Sequence, residues 1–353
     1  MAVVGASSGR KLKIQPGVNR ATNKPREEVM KLMRFTAVAA LSAPLILNSL
    51  TTPAAAQMVG IGSTKSSVVA QMTAVISKVV SEHAGLQMRT QAMGGTQQYI
   101  PIVNAGQLEF GVGNMYQTAQ AYAGIGLSQG HKYDNLRLVA TLMPFRTGLI
   151  VADKSNIHKI EDLRGKRVPY GFNAAPLFQN FFEAFLANGG LTYADVEHLP
   201  AIGLRPMWEL FMQGKVDVVI SAAGGGPNKE MNAKIDGGVR YLNFDTTGSN
   251  AKKALDMLTN TYYAKIAPSP AFPAVRSAGY ILGYDFALWT NKNVPDDVVM
   301  KVAKALYEHA DELRSSSPVW QMWEPRQMAK DQGQIPYHPG AIAYYKTLGL
   351  LTN

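Results

Sequence analysis

Five short runs of small, mostly uncharged residues carry the clearest chemistry in the chain. They are Gly62-Ser63-Thr64-Lys65-Ser66, Gly94-Gly95-Thr96-Gln97, Gly113-Asn114-Met115-Tyr116, Gly171-Phe172-Asn173-Ala174 and Ser221 to Gly226 (SAAGGG). Each falls where a strand-like apolar run gives way to helical spacing. A helix start leaves backbone N–H groups without partners, and hydroxyl or amide groups beside them suit a carboxylate or another small anion. The plainer reading is that each Ser, Thr or Asn caps its own helix. Recurrence at five junctions argues for a composite pocket in addition. Arg146, close to Pro144, reads either as a bidentate partner for a carboxylate or as a surface or ion-paired arginine.

Catalytic patterns are missing by comparison. The six histidines (His83, His131, His158, His198, His309, His338) are scattered, without HxH or HExxH spacing, so no metal site is expected. No GxSxG elbow occurs. Gly60-Ile61-Gly62 follows a strand, but Lys65 stands where a dinucleotide fingerprint needs its third glycine, and Gly224 to Gly226 lacks a GK[ST] ending. Glu161-Asp162 and Asp296-Asp297 read as helix starts and not as paired catalytic acids. No catalytic residue and no cofactor are expected. Tyr116, Phe145, Phe172, Trp208, Trp320 and Trp323 are candidates for the walls of a cleft. Spacing three apart on a helix assigns Trp320 and Trp323 to the core instead.

The elements that must position these runs alternate. Strands are expected at 59–62, 86–92 and 108–113, and helices at 66–85, 96–105 and 115–124; Pro101 blurs the start of the second helix. Residues 136–153 read as two β segments broken at Pro144 to Arg146. A second α/β series follows, with strands at 166–172, 196–199, 216–221 and 239–244 and helices at 176–188, 205–213 and 250–258. A Pro-rich stretch (267–275) leads into the β run AGYILGYDFALWT, and one long helix is expected at 295–314. Alternation of this kind builds parallel βαβ units. Two changes of pattern predict two chain crossings between two α/β lobes, lobe 1 from 57–145 and 280–353 and lobe 2 from 146–279. Ligands bind beyond the carboxyl ends of strands in such sheets, so the interdomain cleft is the expected site and the crossings its hinge.

Composition bounds the remaining possibilities. The chain has 353 residues, 46% hydrophobic and 17% charged, enough apolar material for a large core. With no cysteine, disulfides, thiolate metal sites, a cysteine nucleophile and a lipidated cysteine are excluded. The net charge of +10 is uneven. Residues 1–56 hold eight basic and two acidic residues, which leaves 27 against 23, or +4, over residues 57–353. Those remaining charges are interleaved and form no basic stripe, so no nucleic-acid partner is expected. Lys31 and Arg34, the apolar run Phe35 to Leu50 and the small pair Ala54 and Ala56 have the order of a secretory signal peptide, expected at 30–56. Residues 1–29 are read as an extension upstream of a true start at Met30. Cleavage would leave a soluble chain, not embedded in a membrane and not a lipoprotein, expected in the periplasm as a monomer.

The motifs IGSTKSSVVAQM (Ile61 to Met72), QAMGGTQQYIPIVNAGQLEFGVGN (Gln91 to Asn114), DLRGKRVPYG (Asp162 to Gly171), GKVDVVISAAGGGP (Gly214 to Pro227) and IPYHPGAIAYYKTLGL (Ile335 to Leu350) form a recognisable series. The chain resembles the TAXI family, the solute receptors of TRAP transporters, over essentially all of residues 57–353. That resemblance implies a type II periplasmic binding protein fold. It also implies capture of a small organic anion, commonly glutamate or another carboxylate, and its delivery to TRAP membrane permease subunits driven by an ion gradient. The family's ligand loops map onto Ser63, Thr64 and Ser66, onto Gly94, Gly95 and Thr96, and onto Asn114 and Tyr116. The second lobe adds Asn173 and Ser221 from the junctions above. Two departures stand out: STKSSVVAQM replaces the usual glycine-rich opening, and GFNAAPLF replaces a GSG-type turn. A receptor for an ATP-driven importer and a ligand sensor are the alternatives with the same fold. An enzyme is not expected.

Overall fold

The computed structural model describes residues 56–65, 68–173, 175–316 and 318–351. The expected extension, nearly all of the expected signal peptide, and Ser66 lie outside the described residues. The first half of the chain alternates as anticipated: β1 (Gln57–Thr64), α1 (Val68–His83), β2 (Leu86–Met93), α2 (Thr96–Asn104), β3 (Phe110–Asn114), α3 (Met115–Ala123) and β4 (Leu136–Ala152). Apolar periodicity explains α1, which buries Val69, Met72, Ile76, Val79 and Val80 along one face. Pro101 sits inside α2, whose first residue is Thr96.

The second half repeats the plan with β5 (Arg167–Gly171), α4 (Leu177–Asn188), β6 (Glu197–Ala201), α5 (Leu204–Met212), β7 (Val219–Ala222), α6 (Gly226–Lys234) and β8 (Val239–Tyr241). It continues through α7 (Gly248–Asp256), β9 (Thr261–Ile266), β10 (Gly279–Asn291), α8 (Asp296–Glu308), α9 (Ala310–Ser316) and α10 (Pro339–Thr347). No helix among the described residues is long and apolar enough to cross a membrane.

Sheet order shows how the halves are joined. In one, β2, β1 and β3 run parallel, and β10 inserts antiparallel between β3 and β4. In the other, β4 plays the inserted part, antiparallel to both β7 and β8. Strands β5 and β6 pair separately, tied to β7 through Asp217, whose backbone N–H donates to the Arg167 carbonyl (2.9 Å) and whose carboxylate accepts from the Arg167 backbone and side chain. The protein is therefore two α/β lobes linked by two long strands. At 17 residues, β4 extends on the order of 50 Å, enough to serve both.

Four expectations are corrected here. β4 is one continuous strand, not two segments. Pro144 lies opposite Asp285 beside a ladder irregularity between Asp285 and Ala287, where a missing N–H costs nothing. The long helix is two, α8 and α9, parted at His309, whose backbone leaves helical values (φ −107°, ψ 35°). Two elements went unread: α6, which buries only Asn228 and Met231, and the short β9. Trp320 and Trp323 are fully buried and packed edge to face at 5.4 Å, in the core as expected, but they follow α9 near a short 3-10 turn and share no helix.

Candidate functional site

The carboxyl ends of β1, β2 and β3 gather the first three junctions. Lys65 donates its backbone N–H to the Met93 carbonyl (3.1 Å), and a side chain at Gly113 would strike Thr96. Gly62 is required by packing, since a Cβ there would lie 2.6 Å from the Tyr99 ring. Most polar groups here are already engaged within their own lobe. The Ser63 hydroxyl lies 2.6 Å from that of Thr73 on α1. Thr96 accepts from the Tyr99 hydroxyl at 3.3 Å. Asn114 caps α3, accepting from the Gln117 backbone N–H at 2.8 Å. Thr64 is half-buried and Lys65 exposed. The start of α2 differs: Gly95 supplies no side-chain cap, and the first-turn N–H groups of α2 are uncapped by any side chain among the described residues. Gly94 donates to the Gln98 side chain at 2.7 Å. A hollow of about 140 Å³ lies between α2 and α3, lined by Gln97, Ile100, Gln117 and Ala121 among others.

The remaining two junctions lie at the ends of β5 and β7. Phe172 takes a left-handed backbone (φ 41°) that costs an aromatic residue about 1–2 kcal/mol. Its buried ring stacks on Phe182 at 5.5 Å, and its N–H donates to the Ala201 carbonyl. The next residue, Asn173, is thrust into solvent. Neither Pro176 at the start of α4 nor Gly225 at the start of α6 provides a side-chain cap. Ser221 is buried; its carbonyl accepts from Thr147 and Tyr241, but its hydroxyl oxygen has no partner among the described residues. Gly224 (φ 74°) turns the chain tightly against the Ala271 carbonyl. Packing thus explains Gly62 and Gly224.

Arg146 stands at the crossing. Its carbonyl accepts from the Ala223 N–H at the head of the β7–α6 turn. Across the ladder, Gly283 pairs with Arg146 on one side and with Tyr262 on the other, so both side chains share a face. Arg146 is half-buried, its Nε has no hydrogen-bond partner, and it forms no ion pair among the described residues. Nearby Asp285 is instead neutralised by Lys330 (2.6 Å) and bonded by Gln332 and Tyr262.

The lobes touch through aromatic side chains. The buried Tyr116 hydroxyl accepts from Asn180 on α4 (3.0 Å), and its ring lies 5.5 Å from Phe181. Burial raises the Tyr116 pKa, so the hydroxyl stays neutral. Phe181 reaches Tyr284 on β10, which packs against Phe145 and Phe286. Each such pair is worth about 0.5–1.5 kcal/mol beyond its buried area.

A model of the NMT1-like family matches residues 59–349, nearly the whole of this architecture. The chain belongs to the NMT1-like family. Solved structures similar to this chain include a TctC solute binding protein from Polaromonas (13% identity, TM-score 0.53, covering 85% of this chain and 100% of that one). Others are a putative sulfonate ABC transporter periplasmic sulfonate-binding protein from Methylobacillus flagellatus (14%, 0.49, covering 84% and 96%) and the periplasmic aliphatic sulphonate binding protein from Escherichia coli (17%, 0.45, covering 82% and 83%). The Polaromonas likeness establishes the fold of a solute-binding protein.

Within this NMT1-like chain, Ser63, Thr64, Gly94, Gly95, Thr96 and Asn114 share one sheet end, and Tyr116 joins it to α4. Arg146 and Ser221 are neighbours in the second lobe through the β4–β7 pairing. Asn173 follows β5 on α4's side. Of the remaining aromatic candidates, Phe145 and Phe172 pack into the core, and Trp208 is spent within lobe 2, donating to the Ile220 carbonyl. Sequence reasoning missed Tyr262, Asp285, Lys330 and Gln332. Their only signal was the position of Asp285 inside an otherwise apolar strand. A larger cavity, about 370 Å³, lies at the opposite strand ends around Arg167 and Asp217, away from these junctions.

Proposed function

We propose that this protein is an exported solute receptor of the TAXI type. It binds a small organic anion, a carboxylate or an amino acid such as glutamate, in the interlobe cleft and delivers it to TRAP permease subunits. Lobe 1 comprises residues 57–145 and 280–353, and lobe 2 residues 146–279. Working in the periplasm as a soluble monomer, it uses no catalytic chemistry. The observation that carries this reading is Arg146, a half-buried guanidinium at the crossing without a counter-ion among the described residues. A buried cation is costly unless paired, and a ligand carboxylate supplies the missing charge with bidentate geometry. Uncapped first turns of α2 and α6 supply further N–H donors. Ser63, Thr64, Gly94, Gly95, Thr96, Asn114, Tyr116, Asn173 and Ser221 are the further residues assigned to ligand binding in this reading, together with Ser66, which lies outside the described residues.

A thermal-shift screen of amino acids, oxo-acids, dicarboxylates and sulfonates tests it. A cognate anion at a hundredfold excess over its Kd stabilises the fold by about 2.7 kcal/mol. Silence from every carboxylate in the library would overturn the reading, and a response confined to sulfonates would replace its ligand class.

A further inference from the structure

Two of the six histidines, remote in sequence, meet on the surface of the helical layer. His83 is the last residue of α1, His309 occupies the break between α8 and α9, and Glu312 lies in the first turn of α9. The two imidazoles stack with centroids 3.5 Å apart and planes 9° from parallel. His83 Nε2 lies 2.9 Å from Glu312 Oε2, while Glu312 Oε1 accepts from Lys78 Nζ at 2.8 Å. The His309 ring makes no hydrogen bond among the described residues. One ligand atom from each of His83, His309 and Glu312 falls within 4.8 Å of the others.

We propose that His83, His309 and Glu312 form a binding site for a divalent transition-metal ion, Zn²⁺ fitting it best. A neutral imidazole offers a metal one nitrogen lone pair, and the three side chains already stand within reach of a common ion. Two imidazoles and one carboxylate are borderline N/O donors, which select zinc-like ions over Mg²⁺ or Ca²⁺. Three protein ligands leave a fourth tetrahedral position for water. The ion takes the place of the hydrogen between His83 Nε2 and Glu312 Oε2; as the metal binds Nε2, the single imidazole proton passes through solvent to Nδ1 and none is lost. Lys78 retains Oε1 and fixes the carboxylate from outside.

Metal–ligand bonds of about 2.0–2.1 Å place tetrahedral ligand atoms roughly 3.3 Å apart. The present spacing closes to that by side-chain rotation, which the partly exposed His83 and Glu312 allow. The site lies at the far end of α1 from the β1–α1 junction, on the order of 20 Å away along the helix. Its role is to pin α1 to the α8–α9 break, joining segments from the two ends of the described chain.

Calorimetric titration of the tag-free protein with ZnCl₂, with MgCl₂ as control, tests the site. The expected result is one tight zinc per chain and a raised Tm, with no response to magnesium. His83→Gln, His309→Gln and Glu312→Gln should each weaken zinc binding roughly tenfold or more, with metal-free melting unchanged within a few degrees. The unaltered metal-free Tm separates lost ligation from lost folding. No zinc uptake by the wild type at about 100 µM, a concentration far above a tight Kd, would overturn the proposal. So would full zinc affinity in the His83→Gln/His309→Gln double variant.

Discussion

The strand ends of the two lobes are built from similar residues and treat their polar groups differently. In the first lobe Ser63, Thr96 and Asn114 spend their side chains on Thr73, Tyr99 and Gln117. In the second lobe and at the crossing, the Ser221 hydroxyl and the Arg146 Nε are left without partners, and Asn173 stands in solvent. Similar composition thus yields junction side chains that are finished in one lobe and unfinished in the other. An unsatisfied buried donor is a standing cost of about 1–3 kcal/mol, and a ligand that satisfies it recovers that energy on binding. Among these polar groups, those of the second lobe and the crossing should therefore govern affinity, and those of the first lobe should serve stability.

Three substitutions break or sharpen that contrast. Phe172→Ala comes first: it empties a buried aromatic site and should cost about 3 kcal/mol in chemical denaturation, the left-handed strain being common to both residues. A loss under about 1 kcal/mol would mean that the turn, not the ring, holds the second lobe together. Arg146→Ala follows. Removing one charged partner is worth about 1.5–3 kcal/mol, so affinity for the anion found by thermal shift should fall roughly tenfold to a hundredfold while the unliganded Tm hardly moves. Unchanged affinity would place Arg146 outside the pocket. The smallest effect is expected for Ser63→Ala, about 1 kcal/mol of stability from the lost Thr73 bond, with ligand affinity retained. A large affinity loss there would show that the first lobe is not finished after all.

Much of the fold was legible because burial imposes periodicity. α1 keeps its apolar face at helical spacing, and β10 reads as a β run because all of its last eleven residues are buried between neighbouring strands and helices. What escaped lacked that stamp. α6 is polar almost all round, and β9 is brief. Pro144 looked like a break because sequence cannot show that its missing N–H falls at a ladder irregularity. The junctions were visible as glycine and hydroxyl clusters, but their commitments were not. That Ser63 faces Thr73, or that Lys330 rather than Arg146 pairs with Asp285, is decided by tertiary contact. His83 and His309 were invisible as a pair for the same reason: no local spacing connects residues brought together by separate helices.

The insertion of β10 between β3 and β4 also sets an order of events. Val112 on β3 pairs with Leu288, and Ala140 on β4 with that same Leu288. Until the chain reaches that residue, β3 and β4 present bare facing edges that nothing earlier in sequence fills. The first lobe, though first to be made, must close last. Contacts of such long sequence separation make for slow folding and a late, all-or-none completion of the sheet. A chain truncated anywhere before β10 would leave the sheet of the first lobe open between β3 and β4.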